Sequence, residues 1–151
     1  MYGDMKRVLA CVDHTEVTPA VVEQAATLAR LSGGKLTLLH VAPAEPEWVG
    51  WEPGPQSVRD EVAAGMRAAH RATQALADAL RPGLDCEALT VQGPAVQEIA
   101  EMAAKLEADV VVIGARRRGR LAELLAGSVA KSLFRAIDRP LLVVPALATD
   151  H

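Results

Sequence analysis

The segment Gly114-Ala-Arg-Arg-Arg-Gly119-Arg-Leu-Ala-Glu-Leu-Leu-Ala-Gly127-Ser128-Val129 gathers the residue types that hold an anion. It follows an apolar run, Asp109-Val-Val-Val-Ile113, that reads as a buried strand, and it leads into a helix predicted from Ser128 to Ile137. Backbone N–H groups at a helix N-terminus have no intrahelical partner, and the helix dipole favours negative charge there. Ser128 adds a hydroxyl at the cap position. Arg116, Arg117, Arg118 and Arg120 add positive charge to the loop. The chemistry this suits is binding of a phosphate or another anion. The plain alternative is a tight strand-to-helix connection under a solvated arginine cluster, and the segment alone does not separate the two.

Other groups that could do chemistry are few. Asp13 closes the first apolar run and is read either as the cap of a turn or as a ligand-binding carboxylate. His40 has no Cys, His or carboxylate pair near it in sequence, so a packed or hydrogen-bonded imidazole is expected rather than a base or metal ligand. His14 is expected to be solvated. Cys11 and Cys86 sit inside apolar runs without a second Cys or a His at zinc-ligand spacing, which predicts two reduced, buried thiols and no metal site. No Ser-His-Asp arrangement and no paired carboxylates are legible. Dedicated catalytic machinery is therefore not expected, and any turnover should be slow.

These residues must be positioned by a scaffold of modest size. The chain has 151 residues, which suits one domain over 1–151. Half of the residues are hydrophobic and 23% are charged, a globular rather than a disordered composition. With one Phe, one Tyr and two Trp, the core must be built from Val, Leu, Ile and Ala. A formal net charge of −3 gives no general attraction to nucleic acid or to an anionic membrane. The N-terminal residues lack the apolar stretch of a signal peptide, and no run approaches a membrane span, so a cytoplasmic protein is expected.

The scaffold is read as alternating strands and helices. Arg7–Val12 is a short apolar run, as in a strand covered on both faces. Thr18 is predicted to cap a helix with Pro19 in its first turn; Val22, Ala25, Ala26 and Ala29 form its inner face, and Gly33-Gly34 ends it. Lys35–Val41 is the second strand. Residues 42–56, with four prolines and both tryptophans, form the longest irregular stretch. It is read as a lid or binding loop or as a surface excursion with its tryptophans packed down, and it should be more mobile than the sheet. An amphipathic helix follows over 57–80, marked by Val58, Val62, Met66, Ala69, Thr73, Leu76 and Leu80. Cys86–Val91 is the third strand, Ala95–Leu106 a helix, and Leu141–Val144 the last strand. This alternation predicts an α/β protein with a parallel sheet and helices on both faces. Ligands in such sheets sit beyond the C-terminal strand ends, where strand order reverses. Asp13, Val41 and Gly114 all fall at such ends.

In this order and spacing, the chain resembles a single-domain universal stress protein of the UspA type. The resemblance runs from Arg7 to Pro145. It rests on Val12-Asp13, His40-Val41, Gly93, Gly114, Gly127-Ser128-Val129 and the closing Arg-Pro-Leu-Leu-Val-Val-Pro. It implies a Rossmann-like, five-stranded parallel sheet of order 3-2-1-4-5, adenine nucleotide alpha hydrolase-like, in a protein that is commonly a homodimer. It also implies ATP or AMP as ligand, with Mg accompanying ATP. By carry-over, Asp13 and Val41 would hold the adenosine end, Gly114 would lie near ribose and phosphates, and Gly127, Ser128 and Val129 would cradle phosphate. The family's motif is Gly, two residues, Gly, nine residues, Gly, then Ser or Thr. Here Arg117 stands at the second glycine, and Gly119 is out of phase.

Two readings of function stand beside each other within that resemblance. One is a stress-response module that binds an adenine nucleotide, with Arg117 as part of its site. The other is a dimeric adaptor that acts through contacts with another protein. An enzyme of a related nucleotide-dependent class would need a glycine-rich loop after the first strand, where His14-Thr-Glu stands instead. With order 3-2-1-4-5, Leu141–Val144 lies at a sheet edge, and pairing with its own copy would cover that edge.

Overall fold

A computed structural model describes residues 4–43, 56–115 and 128–145. In chain order the elements are β1 (Arg7–Cys11), α1 (Thr18–Ser32), β2 (Lys35–Ala42), α2 (Gln56–Leu80), a short 3-10 turn (Arg81–Gly83), β3 (Asp85–Gln92), α3 (Ala95–Lys105), β4 (Val110–Ala115), α4 (Ser128–Ala136) and β5 (Leu141–Pro145). All strand pairs are parallel, in the order β3-β2-β1-β4-β5.

The alternation of side chains along each strand builds two apolar layers. Val8 and Ala10 of β1 join Leu36, Leu38 and Cys86 under α1 and α2. Leu9 of β1 joins Leu39, Val111 and Ile113 under α3 and α4. Small residues bring α1 close to the sheet: Ala25, Ala26 and Ala29 are buried beside Val21 and Val22. Helix α1 ends as predicted, with Gly33 at φ 67° and its N–H on the Arg30 carbonyl. Helix α2 buries Thr73 and Ala77 fully and the remaining apolar stripe in part. Ala77 was not in the predicted stripe.

One cap differs from expectation. Val17, not Thr18, is the N-cap of α1, and Thr18 is its first helical residue. The reason is local. The Thr18 hydroxyl donates to Asp13 Oδ1 at 3.1 Å and accepts from the Thr15 N–H at 3.2 Å, so it is committed to the preceding turn rather than to the helix. The reading of 42–56 as a lid or surface excursion falls on 44–55, outside the described residues.

Candidate functional site

The chain crosses over on one face of the sheet for α1 and α2 and on the other for α3 and α4. Strand order therefore reverses between β1 and β4, which places a crevice beyond the C-terminal end of β1. Register gives that crevice its shape. The last β1 pairs are Cys11 with Leu39 and Ala10 with Val112. Strand β2 continues to Ala42 and β4 to Ala115, so both flanking strands overrun the central one.

Backbone direction then decides what the crevice presents. Successive residues of a strand turn their N–H and C=O to alternate sides. Val12 N–H donates to the Leu39 carbonyl at 2.8 Å, so Leu39 faces β1; Val41, two residues on, faces the same side. Ala42 turns the other way, since its carbonyl accepts from Gly93 N–H at 3.0 Å. On the opposite flank, Val111 N–H bonds the Pro140 carbonyl of the β5 side, so Val112 and Gly114 face β1. Val41 and Gly114 thus point their peptide groups at one another across the gap where β1 has ended. The Val41 side chain itself packs towards α3.

Asp13 lies at the floor of this gap, on the β1–α1 turn. Its Oδ1 accepts from Thr15 N–H at 3.0 Å, Thr15 Oγ1 at 2.5 Å and Thr18 Oγ1 at 3.1 Å. The turn-capping reading of Asp13 is therefore correct. A capped turn also fixes the carboxylate, which is exposed, in one orientation. Gly114 is needed for a second reason. A Cβ there would meet Val17 Cγ1 at 2.6 Å, so the glycine lets the start of α1 close on β4.

His40 Nδ1 is 2.9 Å from the Val12 carbonyl, which accepts only, so Nδ1 carries the proton; this is the hydrogen-bonded imidazole expected. His14 is exposed, as expected, and also places Nε2 2.8 Å from Thr73 Oγ1 and its ring centroid 5.1 Å from that of His40. The contact spans 59 residues, so nothing local to His14 announces it. Burial, then the neighbouring His40, hold the His14 pKa below its usual 6.5, only partly offset by the Ala69 carbonyl and Asp13. Cys11 and Cys86 are free thiols, half-buried and buried respectively. Burial, with help from Asp13, pushes Cys11 up to about 12, and burial pushes Cys86 up to about 11. Among the described residues, no group of three or more His, Cys, Asp or Glu is arranged to hold a metal ion.

The structure brings together Asp13, Val41 and Gly114. Ser128 opens α4 and Val129 follows it, half-exposed on the first turn. Arg117 and Gly127 lie outside the described residues. A model described as the universal stress protein family matches residues 5–145. The chain belongs to the universal stress protein family. Its sheet order is that of the adenine nucleotide alpha hydrolase-like fold expected from the sequence.

A universal stress protein of Mycolicibacterium smegmatis is 32% identical over 143 residues, covering 91% of this chain and 47% of that protein. The chain thus spans about half the length of this relative. Among solved structures, a universal stress protein in complex with cAMP is similar with TM-score 0.67 and 22% identity, covering 96% of this chain and 100% of that one. The universal stress protein from Archaeoglobus fulgidus in complex with dAMP is similar with TM-score 0.61 and 18% identity, over 94% and 99%. Likeness at this identity establishes the fold. Among the described residues, no helix is long and apolar enough to cross a membrane.

Proposed function

We propose that this universal stress protein is a cytoplasmic stress-response module that binds an adenine nucleotide, ATP or AMP, in the crevice above β1. One observation carries the reading: Val41 and Gly114 face the gap from β2 and β4, with Asp13 at its floor. The edge of an adenine ring offers an acceptor nitrogen beside an amino donor, and the N–H and C=O of a strand-end residue such as Val41 match that pair. Asp13 can accept from a ribose hydroxyl. The N-terminus of α4, at Ser128 and Val129, offers free N–H groups to phosphate. Gly127 and Arg117 complete the phosphate end in this reading, and Mg enters with the phosphates of ATP. Complexes of related proteins with cAMP and dAMP support the ligand class. Binding, not turnover, is the proposed role. The protein acts as a homodimer through the outer edge of Leu141–Val144, with a protein partner downstream.

The second reading is a dimeric adaptor without nucleotide. Arg117 in place of the motif glycine is the observation that favours it. Purified protein decides between them. Acid-released supernatant with an adenine absorbance band, at a stoichiometry near one per chain, supports the nucleotide reading. Supernatant without it, together with no rebinding of added ATP, supports the adaptor.

A further inference from the structure

The β1–β2 ladder stops one hydrogen bond early. In a parallel ladder, a residue that donates to the carbonyl before its partner also accepts from the N–H after that partner. Val12 N–H donates to the Leu39 carbonyl at 2.8 Å, so the Val12 carbonyl would next accept from the Val41 N–H. Among the described residues that bond is not made: the register ends at Cys11 with Leu39. The Val12 carbonyl accepts instead from His40 Nδ1–H at 2.9 Å, a side chain on the residue between Leu39 and Val41. Val12 is 3% exposed, so leaving its carbonyl without a donor would carry a desolvation cost. The imidazole removes that cost. It leaves the Val41 N–H on the crevice side, without a ladder partner among the described residues. The neighbours of the ring leave it to this bond. Thr90, the β3 partner of His40, has its hydroxyl 2.8 Å from His70 Nδ1, and the His14 ring stands against His40.

We propose that His40 is a positioning residue: by taking the Val12 carbonyl it ends the β1–β2 ladder and keeps the Val41 N–H open to a ring nitrogen of a bound base. The contact with a base rests on the nucleotide reading; the ending of the ladder does not. With its N–H and C=O both open, Val41 matches the acceptor nitrogen and amino group of adenine. The ring N–H and carbonyl of guanine would set donor against donor and acceptor against acceptor. Without the imidazole, the Val12 carbonyl draws the Val41 N–H into the ladder. Only the Val41 carbonyl is then left for a ligand, and the preference for adenine weakens. His40 thus acts on base selection without touching the base.

The test uses the full chain in two arms. Without nucleotide, NMR should show His40 as the Nδ1–H tautomer and a Val41 amide that exchanges faster than that of Leu39. His40→Leu should slow Val41 exchange by about tenfold or more, as its N–H joins the Val12 carbonyl. His40→Asn keeps a side-chain N–H at the same bond distance from the backbone as Nδ1, so Val41 should stay fast. An Nε2–H tautomer, or a wild-type Val41 amide as slow as that of Leu39, overturns the proposal. Should His40→Leu fail to fold, the wild type and His40→Asn still decide on those two readouts. In the second arm, ATP and GTP are titrated calorimetrically. His40→Leu should bind ATP about fivefold more weakly and GTP with a smaller loss, and His40→Asn should restore the ratio. An equal loss for both nucleotides marks a merely structural role and overturns the positioning of Val41. If the wild type binds neither, the nucleotide reading fails, and the first arm alone decides the role of His40.

Discussion

Gly114 lies so close to Val17 that a Cβ on the glycine would stand 2.6 Å from Val17 Cγ1 and 2.9 Å from Cγ2. Valine has few rotamers with which to move aside, and Val17 is buried at the N-cap of α1. Gly114→Ala should therefore force α1 away from the end of β4. A loss of about 1–3 kcal/mol is expected, as for other overpacked cores, read from urea unfolding. Unchanged stability would show that the helix adjusts freely, and that the glycine is there for a ligand alone.

The β1–α1 turn should depend on a single hydroxyl. Thr18 is 5% exposed and bridges Asp13 Oδ1 and the Thr15 N–H. Thr18→Val keeps the shape and removes both bonds. A destabilisation of about 1–2 kcal/mol is expected from the denaturation midpoint, with Thr18→Ser recovering most of it. Equal stability of the Val and Ser variants would contradict the role given to the hydroxyl.

How much of this could be read beforehand varies with the range of the interaction. The strands, the α1 stop at Gly33 and the inner face of α1 follow from local apolar runs and glycine conformation. Side-chain alternation alone could not order the strands; that order came through the family resemblance. Asp13, Val41 and Gly114 were legible as strand-end residues, whereas the facing of Val41 and Gly114 needed the register with β1. Thr18 looked like a helix cap because Thr before Pro usually is one; its hydroxyl went to Asp13 instead. The His14–Thr73 bond joins a turn to the middle of a helix and leaves no periodic trace.

The two thiols give a pH dependence with a definite sign. Their folded pKa values, about 12 for Cys11 and about 11 for Cys86, lie above the ordinary 9.0. The unfolded chain therefore loses these protons first, and ν is smaller in the unfolded state, so stability falls as pH rises. The contribution is fully present below pH 9 and is lost as pH approaches about 11 to 12. Cys11→Ala should show a shallower decline over that range in unfolding experiments. Neither thiol should react readily with a disulfide reagent at neutral pH until denaturant is added. Rapid native labelling would contradict the burial.

The dimer proposal can be tested without disturbing the sheet. Pro140, Leu142 and Val144 turn their peptide groups to β4, so Leu141 and Val143 turn theirs outward. Val143→Pro removes an outward N–H and leaves the β4 ladder intact. Light scattering should give about twice the 16.0 kDa chain mass for the wild type and a single chain for the variant. A wild-type monomer at micromolar concentration would reject edge pairing.

Arg117 poses the central energetic question. A non-glycine residue forced to positive φ costs roughly 1–2 kcal/mol. A guanidinium that reaches phosphate returns about 1.5–3 kcal/mol through a charge-assisted bond. In the nucleotide-bound protein the second effect is expected to offset the first. Calorimetric titration of ATP into wild type, Arg117→Gly and Ser128→Ala tests this most directly. Heat and saturation are expected for the wild type, and an affinity for Ser128→Ala weaker by on the order of 1 kcal/mol, about fivefold. No heat from the wild type at millimolar ATP would contradict it, whether or not Arg117→Gly then binds.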